Sequence, residues 1–364
     1  MFLVDGHLDL AWLALQWNRD ITRSVPELRA APYFAVADGP GVPPRTDIIP
    51  SLGFPEMRRG RVGLCFATVL ARSTGDPVFH YDFPSPQQAY GIARGQVAYY
   101  DALGRDGLMR PIRDLAELSL HVAEWQDFDK SPEGESPPIG YILAMEGADP
   151  IKDPSQMPEW HAAGLRALSL SHFGNGRYAG GTASGKGLTP LGVGLLREMR
   201  KLKMILDVSH LDDLGFVEVM GAWGGPVMAS HSNCRALVPH NRQLTDGQIR
   251  EVVKRGGVIG TVFDAWMLVP DWTRGKSANA GFSTEKVADH VDRVCQLSGS
   301  SRHAAIGSDI DGGFGREQLP SDMDTIADIQ KLAEILRRRG HSDADVAAVF
   351  HGNWLRLVRE AWSG

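Results

Sequence analysis

Two side chains that could bind a metal ion stand at the start of the sequence. His7 and Asp9 lie two positions apart in the segment 5-DGHLD-9, at the end of an apolar run. Residues two apart on an extended strand point to the same side. Zn²⁺ readily binds histidine nitrogen and carboxylate oxygen. The spacing therefore suits a chelating pair.

Comparable residues end other apolar runs farther along the chain. They are Glu146, His172, His210, His231 and Asp309. Three His, one Asp and one Glu would be too many ligands for one open tetrahedral site, but they suit two zinc ions that share a carboxylate. The expected ligand set is His7, Asp9, Glu146, His210 and His231, with Glu146 as the bridge.

Such a pair of metal ions can activate water. Two ions about 3.5–4 Å apart hold a hydroxide between them and polarise a carbonyl or phosphoryl oxygen, as in several hydrolases. Asp309 then remains as the proton shuttle, since a carboxylate beside the hydroxide can take its proton during attack and pass it to the leaving amine. His172 and an arginine in the loop after His231, either Arg235 or Arg242, would orient the substrate.

Residues so far apart in sequence meet only if the fold gathers them. Eight short apolar runs are typical of buried parallel strands; they span 2–9, 62–70, 139–145, 165–171, 204–209, 226–230, 257–263 and 303–308. Amphipathic segments separate most of them, and this alternation predicts an α/β fold, a (β/α)8 TIM barrel. We expect residues 1–364 to form this barrel as a single domain with long loops over its C-terminal face. The histidines and carboxylates above all lie at the ends of these runs, where such barrels build their active sites.

The helices and loops between the strands carry their own signals. Thr189 can cap a helix in 189–203, and Thr245 can cap one in 245–257 that ends at Gly256. Further helices are expected around 283–298, 321–339 and 342–360. The Gly-rich segment 174–187 matches no nucleotide-binding motif, so we interpret it as a loop over the mouth of the barrel. The Pro-rich segment 32–55 is a candidate lid or subunit contact.

Composition excludes several classes of protein. The chain has 38 Lys and Arg against 44 Asp and Glu, which gives a formal net charge of −6, and it has no basic block that could track nucleic acid. Its three cysteines are too few and too widely spaced for a disulfide framework, which indicates a reducing compartment. Neither a signal peptide nor a membrane-spanning apolar run is recognisable, so the expected location is cytoplasmic.

Other candidate residues have ordinary structural interpretations. Cys234 lies three residues after His231, but no sequence feature marks a low thiol pKa. Four tryptophans could shape a pocket, although large aromatic side chains more often serve as core or cover; they are Trp12, Trp17, Trp266 and Trp272. His240 is left open. Seven histidines are assigned to packing or solvent: His80, His121, His161, His290, His303, His341 and His351.

The site residues lie within blocks that resemble the membrane dipeptidase (renal dipeptidase) family, peptidase family M19, of the amidohydrolase-like metal-dependent hydrolases. The blocks are 5-DGHLDLAW-12, 145-MEGADPI-151, 168-LSLSHFGN-175, 187-GLTPLGVGLLREMRKLKMILDVSHLDD-213, 226-PVMASHSNCRALVPHNRQLTDGQIREVVKRGGVIG-260, 307-GSDIDGG-313 and 352-GNWLRL-357. They cover nearly the whole chain. Several such blocks in order are highly specific, whereas one alone would not be.

The resemblance implies a metal-dependent dipeptidase with two zinc ions, one bound by His7 and Asp9 and the other by His210 and His231, with Glu146 bridging. It also implies that His172 contacts the scissile carbonyl, that Arg242 rather than Arg235 pairs with the terminal carboxylate, and that Asp309 handles the proton. Family members hydrolyse dipeptides, many accept a D-residue at the C-terminal position, and some open β-lactams. The expected substrates are small L-Xaa-L-Xaa and L-Xaa-D-Xaa dipeptides. Homodimers are common in the family, so a homodimer is one assembly to test.

The chain departs from the family pattern in two places. Leu8 stands where many relatives have Asn, and the second strand, 62-VGLCFATVL-70, lacks a frequent Gln-Phe pair. Both changes make the mouth of the barrel more apolar, so they bear on side-chain preference rather than on metal binding. The signal, lipid-anchor tail and intersubunit cysteine of extracellular relatives are not recognisable, so no membrane association is expected.

Two further hypotheses stay open. The same metal site could hydrolyse an N-acyl amino acid, a lactam or an ester, because a metal pair polarises many carbonyls. A catalytically silent binding protein could use the same scaffold, although every expected ligand is present. The ligand set suits cobalt or manganese as well as zinc.

Overall fold

Parallel strands form the centre of the molecule. The computed structural model describes residues 1–31, 48–75, 81–132, 134–278 and 281–363, and the backbone of 36–37 and 44–45. The eight barrel strands are β1 (Leu3–Leu8), β2 (Val62–Leu70), β3 (Ile139–Glu146), β4 (Leu165–Ser169), β5 (Ile205–Asp207), β6 (Val227–Ala229), β7 (Val258–Thr261) and β8 (Ala304–Ile306). Each pairs in parallel with the next. The predicted (β/α)8 barrel is confirmed, and each strand overlaps its predicted run.

Among the described residues, the first and last strands are joined by side-chain hydrogen bonds and one main-chain bond rather than by a backbone ladder. Asp5 accepts hydrogen bonds from Ser308 N at 2.9 Å and from Ser308 Oγ at 2.6 Å. Just beyond β8, the amide of Asp309 donates to the carbonyl of His7 at 3.3 Å. These contacts bring the two ends of the sheet together, so residues 302 positions apart in sequence become neighbours.

Three short strands were not predicted, and one of them extends the barrel sheet. Met109–Pro111 pairs in parallel with the start of β3, at Ile139 to Tyr141. Three residues that include Arg110 and Pro111 form no recognisable apolar run, and a proline is tolerated at a sheet edge. The eight-strand barrel is unaffected. The two-residue strands Val36–Ala37 and Pro44–Arg45 form a separate antiparallel pair.

Helices among the described residues surround the barrel. They are α1 (Leu10–Leu15), α2 (Val25–Ala30), α3 (Phe54–Arg59), α4 (Pro86–Arg105), α5 (Leu115–Lys130), α6 (Met157–Ala162), α7 (Pro190–Lys201), α8 (Asp213–Ala222), α9 (Asp246–Lys254), α10 (Ala265–Leu268), α11 (Glu285–Ser298), α12 (Lys331–Arg338), α13 (Asp343–Ala347) and α14 (Asn353–Ser363). The predicted caps are present: Thr189 Oγ1 accepts from Gly192 N at 3.1 Å, and Thr245 Oγ1 accepts from Gln248 N at 3.2 Å. No helix in the described part of the chain is long and apolar enough to cross a membrane.

Two predicted helices are shorter or broken. In the segment 321–339, residues 321–325 are not helical, a 3₁₀ turn capped by Thr325 follows at Ile326–Gln330, and α12 begins only after it. The segment 342–360 is interrupted by a π turn at Ala348–Gly352, between α13 and α14. Periodicity alone does not distinguish these tighter and wider turns from α-helix, because the apolar face continues through them.

The Gly-rich segment 174–187 folds back on His172, two residues before it. Thr182 N donates to the carbonyl of His172 at 3.0 Å. A Cβ at Gly181 would lie 1.8 Å from that same oxygen, so only glycine fits there. Most of the 32–55 segment, interpreted as a lid or subunit contact, lies outside the described residues, as does His80. Its described end, 48–52, is held by Asp311, which accepts from Ser51 N at 3.0 Å.

Candidate metal centre and active site

A cavity of about 690 Å³ opens at the C-terminal ends of the strands. Six of the predicted site residues line it: Asp9, Glu146, His172, His210, Arg242 and Asp309. His7 and His231 are packed against these residues and are almost fully buried, with 2% and 1% of their surface exposed. The structure thus gathers all eight predicted site residues at one place.

The local backbone explains how each side chain reaches the cavity. Glu146 is the last residue of β3 and His7 lies within β1, near its end. Five others follow their strands by one to three positions: Asp9, His172, His210, His231 and Asp309. Arg242 lies in the loop after β6. His210 and Asp309 have positive φ angles of 66° and 58°. The left-handed region is less stable for a non-glycine residue, and residues in this conformation are enriched at functional sites. The chain accepts this strain where it turns a histidine and a carboxylate into the cavity.

His7 points an unpaired nitrogen into a group of carboxylates. Its Nε2 lies 3.6 Å from Asp9 Oδ1, 3.7 Å from Glu146 Oε1 and 3.9 Å from Asp309 Oδ1. This buried nitrogen has no hydrogen-bond partner among the described residues. Asp9 is held from the other side by the Thr68 hydroxyl, which donates to its Oδ1. A buried polar atom without a partner is unfavourable unless something else binds it.

His210 and His231 meet at Glu146. Their Nε2 atoms lie 3.1 Å and 3.2 Å from Glu146 Oε1. They lie only 3.0 Å from each other. A single carboxylate oxygen therefore contacts two imidazole nitrogens, and His7 approaches it as well.

Hydrogen bonds behind these histidines orient their rings. The hydroxyl of Ser230 donates to Asp207 and lies 2.8 Å from His231 Nδ1. Because that hydroxyl proton is used on Asp207, the oxygen accepts from Nδ1–H, which leaves Nε2 of His231 with its lone pair. Thr182 Oγ1 donates to the carbonyl of His210 and lies 3.4 Å from His210 Nδ1, in the same arrangement. Such partners typically fix the tautomer of metal-binding histidines.

Burial perturbs the protonation of the whole group. It raises the pKa of Glu146 to about 8, with Asp9 adding to the effect, and it raises the pKa of Asp309 well above its usual value. Burial also lowers the pKa of His210 and of His231 well below 6.5. Burial lowers the pKa of His7 too, but the charges of Glu146 and Asp9 outweigh it and raise that pKa to about 10. Buried carboxyl groups beside the neutral imidazoles of His210 and His231 form an environment that a cation would stabilise.

The side chains at the cavity are close enough together to bind a metal ion. Three overlapping groups have one ligand atom from each residue within 4.8 Å of the others. They are His7, Glu146 and His231; Glu146, His172 and His210; and His7, Asp9 and Asp309. The donor set mixes imidazole nitrogen with carboxylate oxygen, as zinc sites do. The unpaired Nε2 of His7 lies in two of the three groups, so the residues fit a metal ion.

The two arginines after His231 have different surroundings. Arg242 is buried and lines the cavity; its guanidinium donates to the carbonyl of His231 at 2.7 Å and to Ser232 Oγ at 3.0 Å. Arg235 instead pairs with Asp213 at 2.7 Å and 2.8 Å and does not line the cavity. Of these two arginines, only Arg242 is placed where it can meet a ligand in the cavity.

Several lining residues have no individual signal in the sequence. All four tryptophans set aside as core or cover line the cavity, together with Tyr81, Phe173 and the histidine left open, His240. Asp264 also lines it, and burial raises the pKa of this carboxyl to about 7. It follows β7 by three residues, so the rule that strand ends carry the site could have found it. The aromatic lining gives the cavity an apolar wall around a charged floor.

Cys234 does not contribute to this site. It lies outside the cavity lining, and its thiol contacts the carbonyl of His290 at 3.6 Å. Burial raises the pKa of the Cys234 thiol to about 12, so the thiolate that a nucleophile requires is not formed near neutral pH.

A family model described as membrane dipeptidase (peptidase family M19) matches residues 1–363. Among curated proteins, the dipeptidase aclJ of Aspergillus oryzae is 29% identical over 363 residues, which is 98% of this chain and 77% of that protein. An uncharacterised protein encoded in the pqqA 5′ region of Klebsiella pneumoniae is 30% identical over 233 residues, 62% of this chain and 83% of that protein.

Solved structures show the same architecture. A crystal structure described as the dipeptidase AC, a metallopeptidase of family M19, has a TM-score of 0.76 and 25% identity and covers 100% of this chain and 99% of its own. A metallopeptidase from Rhodobacter sphaeroides, bound to a phosphinate mimic of the dipeptide L-Ala-D-Ala, has a TM-score of 0.76 and 24% identity over the same shares of the two chains.

Proposed function

The chain belongs to the membrane dipeptidase family, peptidase family M19, and is a metal-dependent dipeptidase; we propose that it hydrolyses small L-Xaa-L-Xaa and L-Xaa-D-Xaa dipeptides with two zinc ions. The observation that carries this proposal is the convergence of His210 and His231 on one oxygen of Glu146, at 3.1 Å and 3.2 Å. The Rhodobacter relative with its dipeptide mimic supports the substrate class.

Five residues would hold the metal ions: His7 and Asp9 for one, His210 and His231 for the other, and Glu146 for both. A bound zinc pair would supply a lowered pKa for its water and polarisation of the scissile carbonyl. The protein contributes the prearranged ligands. Ser230 and Asp207 hold the ring of His231, and Thr68 holds the carboxylate of Asp9.

Asp309 would move the proton. Its carboxylate lines the cavity, and Oδ1 lies 3.9 Å from His7 Nε2, beside the ligands. Burial raises its pKa, which suits a group that takes a proton from water and then gives it to the leaving amine. Asp309 is held in this position by its strained backbone and by the amide bond to His7.

Two further residues would bind the substrate. Arg242 presents a buried guanidinium to the cavity, and a guanidinium matches a carboxylate in geometry and charge. His172 would donate a hydrogen bond to the scissile carbonyl oxygen. The aromatic wall would accept apolar side chains of either residue of the dipeptide.

The test is amino-acid release from a panel of L,L and L,D dipeptides by zinc-reconstituted protein, beside N-acetylated and C-amidated versions of each peptide. Cleavage limited to peptides with both termini free supports the proposal. Turnover of the N-acetylated set alone would make the protein an acylamino-acid hydrolase instead. Metal analysis of the same samples should give two zinc ions per chain, and a value of one would reject the binuclear site.

The cellular location and assembly are separate proposals. The three cysteines form no disulfide, which supports the expected cytoplasmic location. A homodimer stays a prediction, to be tested by light scattering of the purified protein.

A further inference from the structure

One arginine outside the predicted site touches a predicted catalytic side chain. Arg72 follows β2 by two residues, next to the strand that departs from the family pattern. Its Nη1 lies 3.2 Å from Nδ1 of His172, and its Nη2 donates to the carbonyl of Phe173 at 2.7 Å. Arg72 itself does not line the cavity, so it acts on the reaction only through residues that do, and His172 is the one of these with a predicted catalytic role.

The guanidinium is fixed by its surroundings. Arg72 is buried and forms an ion pair with buried Asp82, from Nη2 to Oδ2 at 3.2 Å. Asp82 is held in turn by Thr74, which donates its amide at 3.0 Å and its hydroxyl at 2.6 Å. The ring of Tyr81 lies 5.2 Å from the guanidinium carbon. A planar group held on several sides has little freedom to leave the imidazole.

This contact determines which nitrogen of His172 carries the proton. A guanidinium only donates hydrogen bonds and accepts none. Nδ1 of His172 must therefore be the acceptor, and the proton of the neutral ring is on Nε2. That Nε2 faces the metal-binding group, 3.7 Å from Glu146 Oε1.

We propose that Arg72 is a positioning residue that holds His172 as its Nε2–H tautomer, so that this histidine donates a hydrogen bond to the substrate carbonyl and does not bind metal. The inference rests on the proposed function for the identity of the substrate, but the tautomer itself does not.

The proposal separates two roles that geometry alone leaves open for His172. One of the three ligand groups includes its imidazole together with Glu146 and His210. A metal ligand needs a lone pair on the nitrogen that faces the metal, as His231 has on Nε2. His172 has the opposite tautomer, because its partner is a donor where the partner of His231 is an acceptor. The two tautomers differ because Arg72 donates to Nδ1 of His172, whereas Ser230 accepts from Nδ1 of His231.

Nitrogen-15 NMR of histidine-labelled protein tests the tautomer directly. The signals of His172 are assigned by their loss in His172→Gln, and their couplings to ring protons show which nitrogen is protonated. We expect Nε2–H with unprotonated Nδ1 in the native protein, with and without zinc, and a mixture of tautomers in Arg72→Met. An Nδ1–H ring in the native protein, or an unchanged ring in Arg72→Met, would overturn the proposal.

Kinetics supply the second readout. Arg72→Met should lower kcat about ten- to a hundredfold, the order expected when a preorganised hydrogen-bond donor is weakened, with KM little changed because Arg242 is intact. Arg72→Lys, which keeps a cationic donor, should recover part of the loss. The matched control is Arg177→Met: Arg177 also anchors a loop on this face, through the carbonyl of Ile151 at 3.0 Å, but is not bonded to the imidazole. A kcat in Arg72→Met equal to that of the control would reject the role.

The NMR and kinetic measurements distinguish failure of the tautomer assignment from failure of the proposed function. If Arg72→Met does not fold, Asp82→Asn weakens the hold on the guanidinium while keeping the side-chain shape, and it should shift the tautomer in the same direction; an unshifted tautomer there would count against the proposal. If no dipeptide is cleaved but His172 is Nε2–H through Arg72, the proposed function fails and the tautomer assignment stands. Normal dipeptide cleavage by a protein whose His172 is Nδ1–H would support the proposed function and overturn the tautomer assignment.

Discussion

The Nε2 atoms of His210 and His231 lie 3.0 Å apart, although the hydrogen bonds behind both rings place their protons on Nδ1. Two lone pairs that face each other at this distance repel. A cation between them and Glu146 would turn that repulsion into attraction. Without a cation, the folded chain holds the ligands in an unfavourable arrangement. Metal binding should therefore be coupled to the stability of the barrel.

Metal removal is expected to lower the melting temperature. A ligand that binds only the folded state adds about 2.7 kcal/mol at a hundredfold excess over its Kd. Stripping with a chelator should lower Tm by a few degrees, and zinc should restore it. Magnesium is the control, since it prefers oxygen ligands. Equal Tm values for stripped and zinc-loaded protein would contradict a site built from these histidines.

Asp309→Asn tests the proton shuttle. The variant keeps the size of the side chain but cannot take a proton, so kcat should fall about 10²- to 10⁴-fold, the usual contribution of a general acid–base. Both metal ions should remain, because the five proposed ligands are untouched. Elemental analysis of the purified variant checks this. An active variant, or one that has lost its metals, would break the assignment.

Arg242→Lys tests recognition of the terminal carboxylate. A lysine keeps the charge but loses the paired donors of the guanidinium. A hydrogen bond to a charged group contributes about 1.5–3 kcal/mol, so KM should rise roughly ten- to a hundredfold for dipeptides with a free C-terminus. Arg235→Lys is the matched control, because Arg235 pairs with Asp213 at the surface. Equal KM values for the two variants would remove Arg242 from the substrate site.

The sequence predicts the metal-binding and catalytic residues better than the residues that surround them. His7, Glu146 and Asp309 are predictable because each ends an apolar run, and a parallel barrel brings all strand ends to one face. Arg72 also lies just beyond a strand, but its contact with His172 depends on the path of the loop that follows β2, which the pattern of strand ends does not reveal. The tryptophans are ambiguous for a related reason: an aromatic residue in a loop can serve as core or as cavity wall, and only the conformation decides.

Two local features of the secondary structure could not be predicted from the sequence either. The π turn at Ala348–Gly352 lies in a segment whose apolar periodicity continues into α14, so a single long helix was predicted. The edge strand at Met109–Pro111 is set by pairing with β3 rather than by its own composition. At the edge strand, tertiary pairing overrides the local pattern. Neither feature contributes a residue to the cavity.

Two buried histidines far from the cavity should make the barrel sensitive to acid. Burial lowers the pKa of His121 to about 4 and that of His290 to about 4, compared with 6.5 for an unburied ring. Their rings are used in neutral form: His121 Nε2 donates to the carbonyl of Gly63 at 2.7 Å, and His290 Nδ1 accepts from Cys234 N at 3.0 Å. Because the folded pKa is the lower one, their contribution to stability is complete above pH 6.5 and is lost as the pH falls toward 4.

The size of this effect follows from the pKa difference. Lowering a histidine pKa from 6.5 to about 4 on folding corresponds to about 3 kcal/mol of unfolding free energy for each ring. The measurement is urea unfolding of metal-stripped protein between pH 7.5 and 4, which removes any contribution from zinc release. His121→Gln keeps a donor for Gly63 but cannot be protonated, so its free energy of unfolding should fall less steeply than that of the native chain in this window. Parallel curves for the two proteins would show that His121 is not the group that titrates.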